Sequence, residues 1–423
     1  MTADHSTDPV GARYRSWPEP QSTLADVGEL GVHVSDLMLP AMVLRQDALH
    51  HNANLVATWA HARGFELAPH GKTTMSRELI ELQLRHGAWA ITAATAGQAR
   101  VFAEWGVPRV LLANEVTDPG GLRWVAETVA EGRTALLVLV DSTDGVGRLG
   151  AALAATGTAR RLDVLLEWGI PGGRAGVRDR ATGRAVAEAV LAMPQLRLAG
   201  VECFEGVAGR DRSDPEIASV RAMLDGATAL LAELGGAGAL EGEVLLTAGG
   251  SSYPDLVVEV FGAAAPPAPE TTLRRVLRSG GYLTHDHGML ERTSPMRRDA
   301  HDPAGTLEPA LRLVASVLSI PEPGLAIVGF GKRDAPYDID LPVALGLRRR
   351  ADLHAPAAAL DPADVVIGRC NDQHAFATHD DLLEVGDQLV FGISHPCTAF
   401  DKWTLLPVVD EDDRVVGTVT TSF

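Results

Sequence analysis

Three consecutive stretches decide the fold: the run Ala88-Trp89-Ala90-Ile91-Thr92-Ala93-Ala94, the amphipathic residues 96–105, and the run Arg109-Val110-Leu111-Leu112-Ala113-Asn114. Both runs are short and nearly continuous in apolar residues, as strands buried on both faces must be. The stretch between them repeats its apolar residues at helical spacing. A strand, a helix and a second strand give parallel neighbours, because such a crossover returns the chain to the same end of the sheet.

The same unit recurs outward in both directions. Strands are expected at residues 41–45, 66–69, 135–141, 163–167, 196–204 and 243–247, with helices at 48–63, 76–86 and 217–234. With the first two runs this makes about eight strands, which favours a (β/α)8 TIM-like barrel over an open sheet. The rhythm breaks after Ser252, at an Ala/Pro-rich loop with Pro266, Pro267 and Pro269. Beyond it, runs at 310–320, 324–329, 364–368, 388–391 and 415–422 predict an all-β domain. The expected division is therefore a segment at 1–37, a barrel at 38–270 and a C-terminal β domain at 271–423.

The chain has 423 residues, 46% hydrophobic and 22% charged, which is a globular balance with ample core. Its net charge of −18 argues against nucleic-acid binding, since phosphate backbones are repelled. Three cysteines, Cys203, Cys370 and Cys397, do not make a disulfide framework; Cys203 and Cys370 read as small buried hydrophobes. Residues 1–20 lack an apolar leader, and no run is long enough to span a membrane. A cytoplasmic location is expected.

In such a barrel the site gathers at the carboxyl ends of the strands. There the sequence places His70 and Lys72, Thr95, Asn114 and Glu115, Glu167 and Arg174, Glu205, and Gly249-Gly250-Ser251-Ser252. A lysine inside a barrel mouth is desolvated, which favours the neutral amine that attacks carbonyls; a solvated helix-start lysine reads the same way in sequence. The Gly-Gly-Ser-Ser loop suits a phosphate on backbone N–H groups and hydroxyls, or an ordinary tight turn. Arg174 suits an anion, or a surface loop. In the β domain, His395 and Cys397 lie two apart, on one face of a strand, and are both good zinc ligands. Only two ligands are evident, so an open catalytic site is expected. His374 offers an acid/base group, a third ligand or a turn residue. Tyr282 sits in a polar cluster with His285, Asp286 and His287 that suits cofactor contact or hinge packing.

With Pro69-His70-Gly71-Lys72-Thr73 in place, the chain resembles the fold-type III pyridoxal-phosphate enzymes, which are alanine-racemase-like. It is most similar to the D-serine dehydratase and D-threonine aldolase branch, over roughly residues 38–405. Further matches are Ile91 to Thr95, Leu111 to Glu115, Arg174 to Val177, Phe204-Glu205-Gly206, Gly249-Gly250-Ser251, Asp372-Gln373-His374 and His395-Pro396-Cys397. The segment from Gly331 to Asp338 resembles a bacterial D-serine-deaminase-like subgroup. Three positions depart from the branch's pattern: Thr74-Met75 after the lysine, Phe204 for a tyrosine, and Ser251 for a glycine. The resemblance implies Lys72 as Schiff-base lysine and α-proton base; His70 and His374 are further catalytic candidates. It implies pyridoxal phosphate near Arg174, with its phosphate on Gly249, Gly250, Ser251 and Ser252; Thr95, Phe204 and Tyr282 are further candidates for the same cofactor site. It implies zinc on His395 and Cys397, and a homodimer with the active site at the subunit interface.

The expected reaction is loss of water from a small D-3-hydroxy amino acid, giving a 2-oxo acid and ammonia, with zinc helping the hydroxyl leave. Retro-aldol cleavage to glycine and an aldehyde needs the same residues and stands as the alternative. A racemase would need no metal pair, and a non-catalytic pyridoxal-phosphate carrier would lack the β domain.

Overall fold

The computed structural model describes residues 10, 14–18, 23–297 and 305–423. Most of the stretch on which the lack of a leader was read therefore lies outside the described residues. Two sheets organise the chain. The first holds eight parallel strands: β2 Phe65–Leu67, β3 Ile91–Ala93, β4 Arg109–Leu112, β5 Ala135–Val140, β6 Leu162–Trp168, β7 Leu196–Cys203, β8 Glu243–Ala248 and β9 Thr272–Leu277. From β3 to β9 each pairs with the next, and β9 pairs with β2. The ring closes between β2 and β3, where Trp89 N donates to Leu67 O at 2.7 Å and Thr92 N to Pro69 O at 2.9 Å. The chain thus has the expected (β/α)8 barrel.

Inside the ring lie Ala68, Leu111, Leu137, Leu139, Leu165, Ala199, Leu245 and Val276, a packed core with no pore. The helices form the outer layer: α1 Gln46–His61, α2 Arg77–Arg85, α3 Ala96–Glu104, α4 Pro119–Glu131, α5 Thr143–Thr156, α6 Arg180–Leu191, α7 Asp214–Gly236 and α8 Pro254–Gly262. Where they start, short polar side chains take the first free N–H groups. Thr95 accepts from Gln98 N at 3.2 Å, Asp118 from Gly121 N at 2.7 Å and Asp179 from Thr182 N at 2.8 Å. These caps set the helix starts at the carboxyl end of the ring.

The second sheet holds ten strands. These are β1 Ala41–Arg45, β10 Leu311–Glu322, β11 Leu325–Val328, β12 Val343–Arg348, β13 Ala358–Ala359, β14 Val365–Cys370, β15 Ala375–His379, β16 Gln388–Gly392, β17 Leu405–Val409 and β18 Val415–Thr420. All pairs are antiparallel except β1 with β17. Residues 24–37 pack on this sheet: Val34 N donates to Asp413 O at 2.9 Å, and Gly28 lies so close to Val416 O that a Cβ would stand 2.5 Å from it.

Two strand expectations change. Residues 41–45, read as a barrel strand, lie between β10 and β17 in the second sheet. The eighth barrel strand is Thr272–Leu277, which reads poorly because Arg274 and Arg275 interrupt its apolar run. Both arginines leave the core: Arg274 bonds Glu66 and Glu243, and Arg275 bonds the carbonyls of Phe261 and Ala264. Strands β12, β13, β15 and β17 were not anticipated. Asn52 on α1 joins the two parts, donating to Leu283 O at 3.0 Å and Glu308 O at 2.7 Å.

Candidate active site

Lys72 lies on a short 3-10 turn, Gly71–Thr73, just past the end of β2. The turn packs against α3, where a Cβ at position 71 would stand 2.6 Å from the Phe102 ring. Lys72 is partly buried, and desolvation pulls its ammonium below the usual lysine range. Arg174 and Arg278 push the same way, while the Cys397 sulfur opposes them. His70 pairs with Thr92 across the barrel's closing seam, and its Nδ1 is buried without a partner. Burial, then the charges of Lys72, Arg278 and Arg174, hold its imidazole neutral.

The His395-x-Cys397 pair meets this turn within one chain. Thr73 Oγ1 and Cys397 Sγ stand 3.6 Å apart. His395 Nδ1 lies 2.7 Å from Asp338 Oδ2, and Thr398 Oγ1 donates to Asp338 Oδ1 at 3.0 Å. Burial works against a charge on His395, but its hydrogen bonds to Cys397 and Asp338 outweigh it and hold the imidazole up to about 9. Burial likewise raises the Cys397 thiol, but His395, Thr73 and Lys72 together pull it below its usual value. Among the described residues no cluster of three or more His, Cys, Asp and Glu is placed to hold a metal. The donor set, a carboxylate-backed imidazole beside an activated thiol, fits a zinc ion with open positions.

Opposite lies a ring of acids and arginines. Arg278 is fully buried and bonds Glu202 Oε2, Thr247 Oγ1 and Cys203 O. Arg174 donates to Glu167 Oε1 at 3.3 Å, and its guanidinium lies 4.9 Å from the Phe204 ring centroid. Burial and then the Glu167 charge push the Glu115 carboxyl up to about 8. Burial pushes Glu202 up to about 7 against the pull of Arg278. Lys72, Arg174 and Arg278 thus make a cationic face, with the uncharged His70 beside it, which fits a phosphorylated cofactor.

The Gly-Gly-Ser-Ser loop already holds a carboxyl group, which burial pushes above its usual range. Glu205, fully buried, accepts from Gly249 N at 3.0 Å and Gly250 N at 2.8 Å. Ser251 Oγ accepts from Gly281 N at 3.2 Å, and Ser252 Oγ from Thr293 Oγ1 at 2.9 Å. Thr95 caps α3 with its hydroxyl. The buried Tyr282 hydroxyl accepts from Gln83 Nε2 at 3.3 Å, and burial pushes it up to about 12. His374 is exposed on the turn between β14 and β15, where Asn371 N donates to His374 O at 2.8 Å. The structure therefore brings Lys72, His70, Arg174, Phe204, His395 and Cys397 towards one mouth, and sets His374 apart on a hairpin.

Sequence reasoning missed Asp338, Arg278 and the part played by Glu205. Asp338 stands 57 residues from His395, and although it closes the matching segment that starts at Gly331, nothing in that segment marks it as the partner of His395. Arg278 follows β9, the strand that its arginines concealed.

Comparison with known proteins now adds context. Residues 310–409 match the family described as a putative serine dehydratase domain. A 3-hydroxy-D-aspartate aldolase of Paracoccus denitrificans (strain Pd 1222) is 27% identical over 363 residues, covering 85% of each chain. A solved D-threonine aldolase from Filomicrobium marinum superposes with a TM-score of 0.74 at 24% identity, covering 92% of this chain and 96% of that one. A D-threo-3-hydroxyaspartate dehydratase from Delftia sp. HT23 superposes at 0.70 with 21% identity, covering 92% and 99%.

Proposed function

We propose, for a chain that belongs to the fold-type III, alanine-racemase-like pyridoxal-phosphate enzymes, a lyase acting on a small D-3-hydroxy amino acid. The observation that carries this reading is the 3.6 Å contact of Thr73 with Cys397. It sets an amine suited to a carbonyl beside a histidine–thiol pair suited to a metal, in one barrel mouth. When bound, pyridoxal phosphate supplies an electron sink for charge at Cα, and zinc supplies Lewis acidity at the β-hydroxyl.

The chain's own groups do the rest. Lys72 would hold the cofactor through its Nζ and would take the proton from Cα, for which its lowered pKa suits it. His395 and Cys397 would hold the metal, and Asp338, bonded to His395 Nδ1, leaves Nε2 as the nitrogen available to a ligand. Arg174, tied to Glu167 and stacked over Phe204, would lie near the cofactor ring. Because Glu205 occupies the amides of Gly249 and Gly250, the phosphate would take donors from Ser251 and Ser252. Tyr282 and Thr95 each accept a hydrogen bond through the hydroxyl oxygen, which leaves the hydroxyl proton of each to donate. A role for His374 requires a second subunit, since its ring makes no hydrogen bond or ion pair among the described residues; a homodimer belongs to this reading.

The thiol ligand selects zinc over harder ions and favours dehydration to a 2-oxo acid and ammonia. A second reading, cleavage to glycine and an aldehyde, is favoured by the aldolase names of the relatives. A product assay on cofactor-loaded protein separates them, with D-serine, D-threonine and 3-hydroxy-D-aspartate, their L-isomers as controls, and a strong chelator. Oxo acid and ammonia, lost with chelator and restored by zinc, is the expected result. Glycine and aldehyde moves the assignment to the second reading; no product from any D-isomer overturns both.

A further inference from the structure

Two segments flank His395 and Cys397. The first runs from Gly331 to Asp338 and ends in the carboxylate that backs the imidazole. The second runs from His395 through the turns Pro396–Thr398 and Phe400–Lys402 to Trp403. They meet at two places. Asp338 bonds His395 and Thr398, and Trp403 Nε1 donates to Asp334 O at 2.9 Å.

A third tie comes from a distant part of the chain. Arg15 Nη1 donates to Asp334 Oδ1 at 3.0 Å and Arg15 Nη2 to Lys402 O at 3.0 Å, across 319 and 387 residues. Its guanidinium lies 3.8 Å from the Trp403 ring centroid. The planar fork therefore reaches both segments at once, which a single ammonium could not do. Arg15 has a firm base. Tyr14 and Trp17 are buried in the core of the second sheet, and Met38 N donates to Ser16 O at 2.9 Å, just ahead of β1.

Asp334, at the other end of the fork, is fully buried. Its Oδ2 accepts from Gly331 N at 2.9 Å and Gln373 Nε2 at 2.8 Å, and Arg15 fills Oδ1. Without the guanidinium a buried acceptor is left unfilled, which is costly enough to shift the segment. Asp338 lies further along that same segment, so a shift at Asp334 passes to the imidazole. The Lys402 carbonyl is released together with it, on the strand side of the Cys397 turn.

We propose that Arg15 is a positioning residue for the metal pair, fixing the two flanking segments against each other and so setting how His395 and Cys397 present their donors to the ion. This rests on the reading above that the pair holds zinc. Arg15 touches neither ligand and acts through Asp334, Lys402 and Trp403.

The test is zinc affinity in the cofactor-loaded protein, read by competition with a chelator. Arg15→Met should weaken it about tenfold, the low end for a residue outside the ligand set. Arg221→Met, which removes an ion pair with Glu259 between α7 and α8, should leave it unchanged. Coupling is reciprocal, so bound zinc should slow hydrogen exchange of residues 14–18 in the parent, a readout that needs no variant to fold and that a purely fold-holding role would not move. Unchanged zinc affinity in Arg15→Met, or exchange at residues 14–18 indifferent to zinc, overturns the inference while leaving the metal reading standing. A parent that binds no zinc, or whose zinc affinity survives His395→Ala and Cys397→Ala, overturns that reading and the inference with it.

Discussion

At the residue scale the account turns on a short chain of contacts: Lys72, Thr73, Cys397, His395 and Asp338. Asp338 is a positioning residue, because it touches the imidazole and not the metal. Asp338→Asn should weaken zinc binding about 10- to 100-fold, read by competition with a chelator; unchanged affinity would remove Asp338 from the site. A second residue-scale prediction concerns Glu115, held up to about 8 by burial and Glu167. An acid raised in the folded state costs stability as pH climbs from its unfolded value through its folded one. Glu115→Gln cannot ionise, so its melting temperature should exceed the parent's more at about pH 9 than at about pH 5. An equal difference at both would refute the shift. Lys72, Arg174, His395 and Cys397 were legible in the sequence because each sits in a local motif. Asp338 and Arg278 were not, since their partners lie 57 and 76 residues away and nothing local marks the pairing.

At the element scale the barrel depends on the seam between β2 and β3, which carries both His70 and the turn of Lys72. Thr92 Oγ1 donates to Ala68 O at 2.5 Å across it, in a fully buried position. Thr92→Val keeps the shape and loses that bond, which should cost about 1 kcal/mol in thermal or denaturant unfolding. No loss would mean the seam is held by backbone alone. Periodicity found the barrel because its middle strands, β3 to β8, are apolar and short-range in their pairing. It failed at both ends of the ring. The four buried residues of β1 look the same whether their partner is a barrel neighbour or β10. Thr272–Leu277 hides its burial behind two arginines that bond outside the core.

At the scale of the whole molecule, β1 makes the two sheets interdependent. It lies between β10 and β17, pairing Ala41 with Val314 and Leu44 with Val408, while its own helix α1 packs on the barrel. A fragment of residues 305–423 lacks this central strand and should not fold alone; adding a peptide of residues 38–46 should restore sheet signal in circular dichroism. A fragment that folds without it would contradict this coupling. The same crossing of the chain keeps the metal pair in register with the lysine turn, which is the central claim. The most direct test is a crystal structure of the cofactor- and zinc-loaded protein with anomalous data at the zinc edge. The account predicts cofactor density joined to Lys72 and a zinc peak between His395 and Cys397 of the same chain. Cofactor on another residue, or zinc away from that pair, would contradict it.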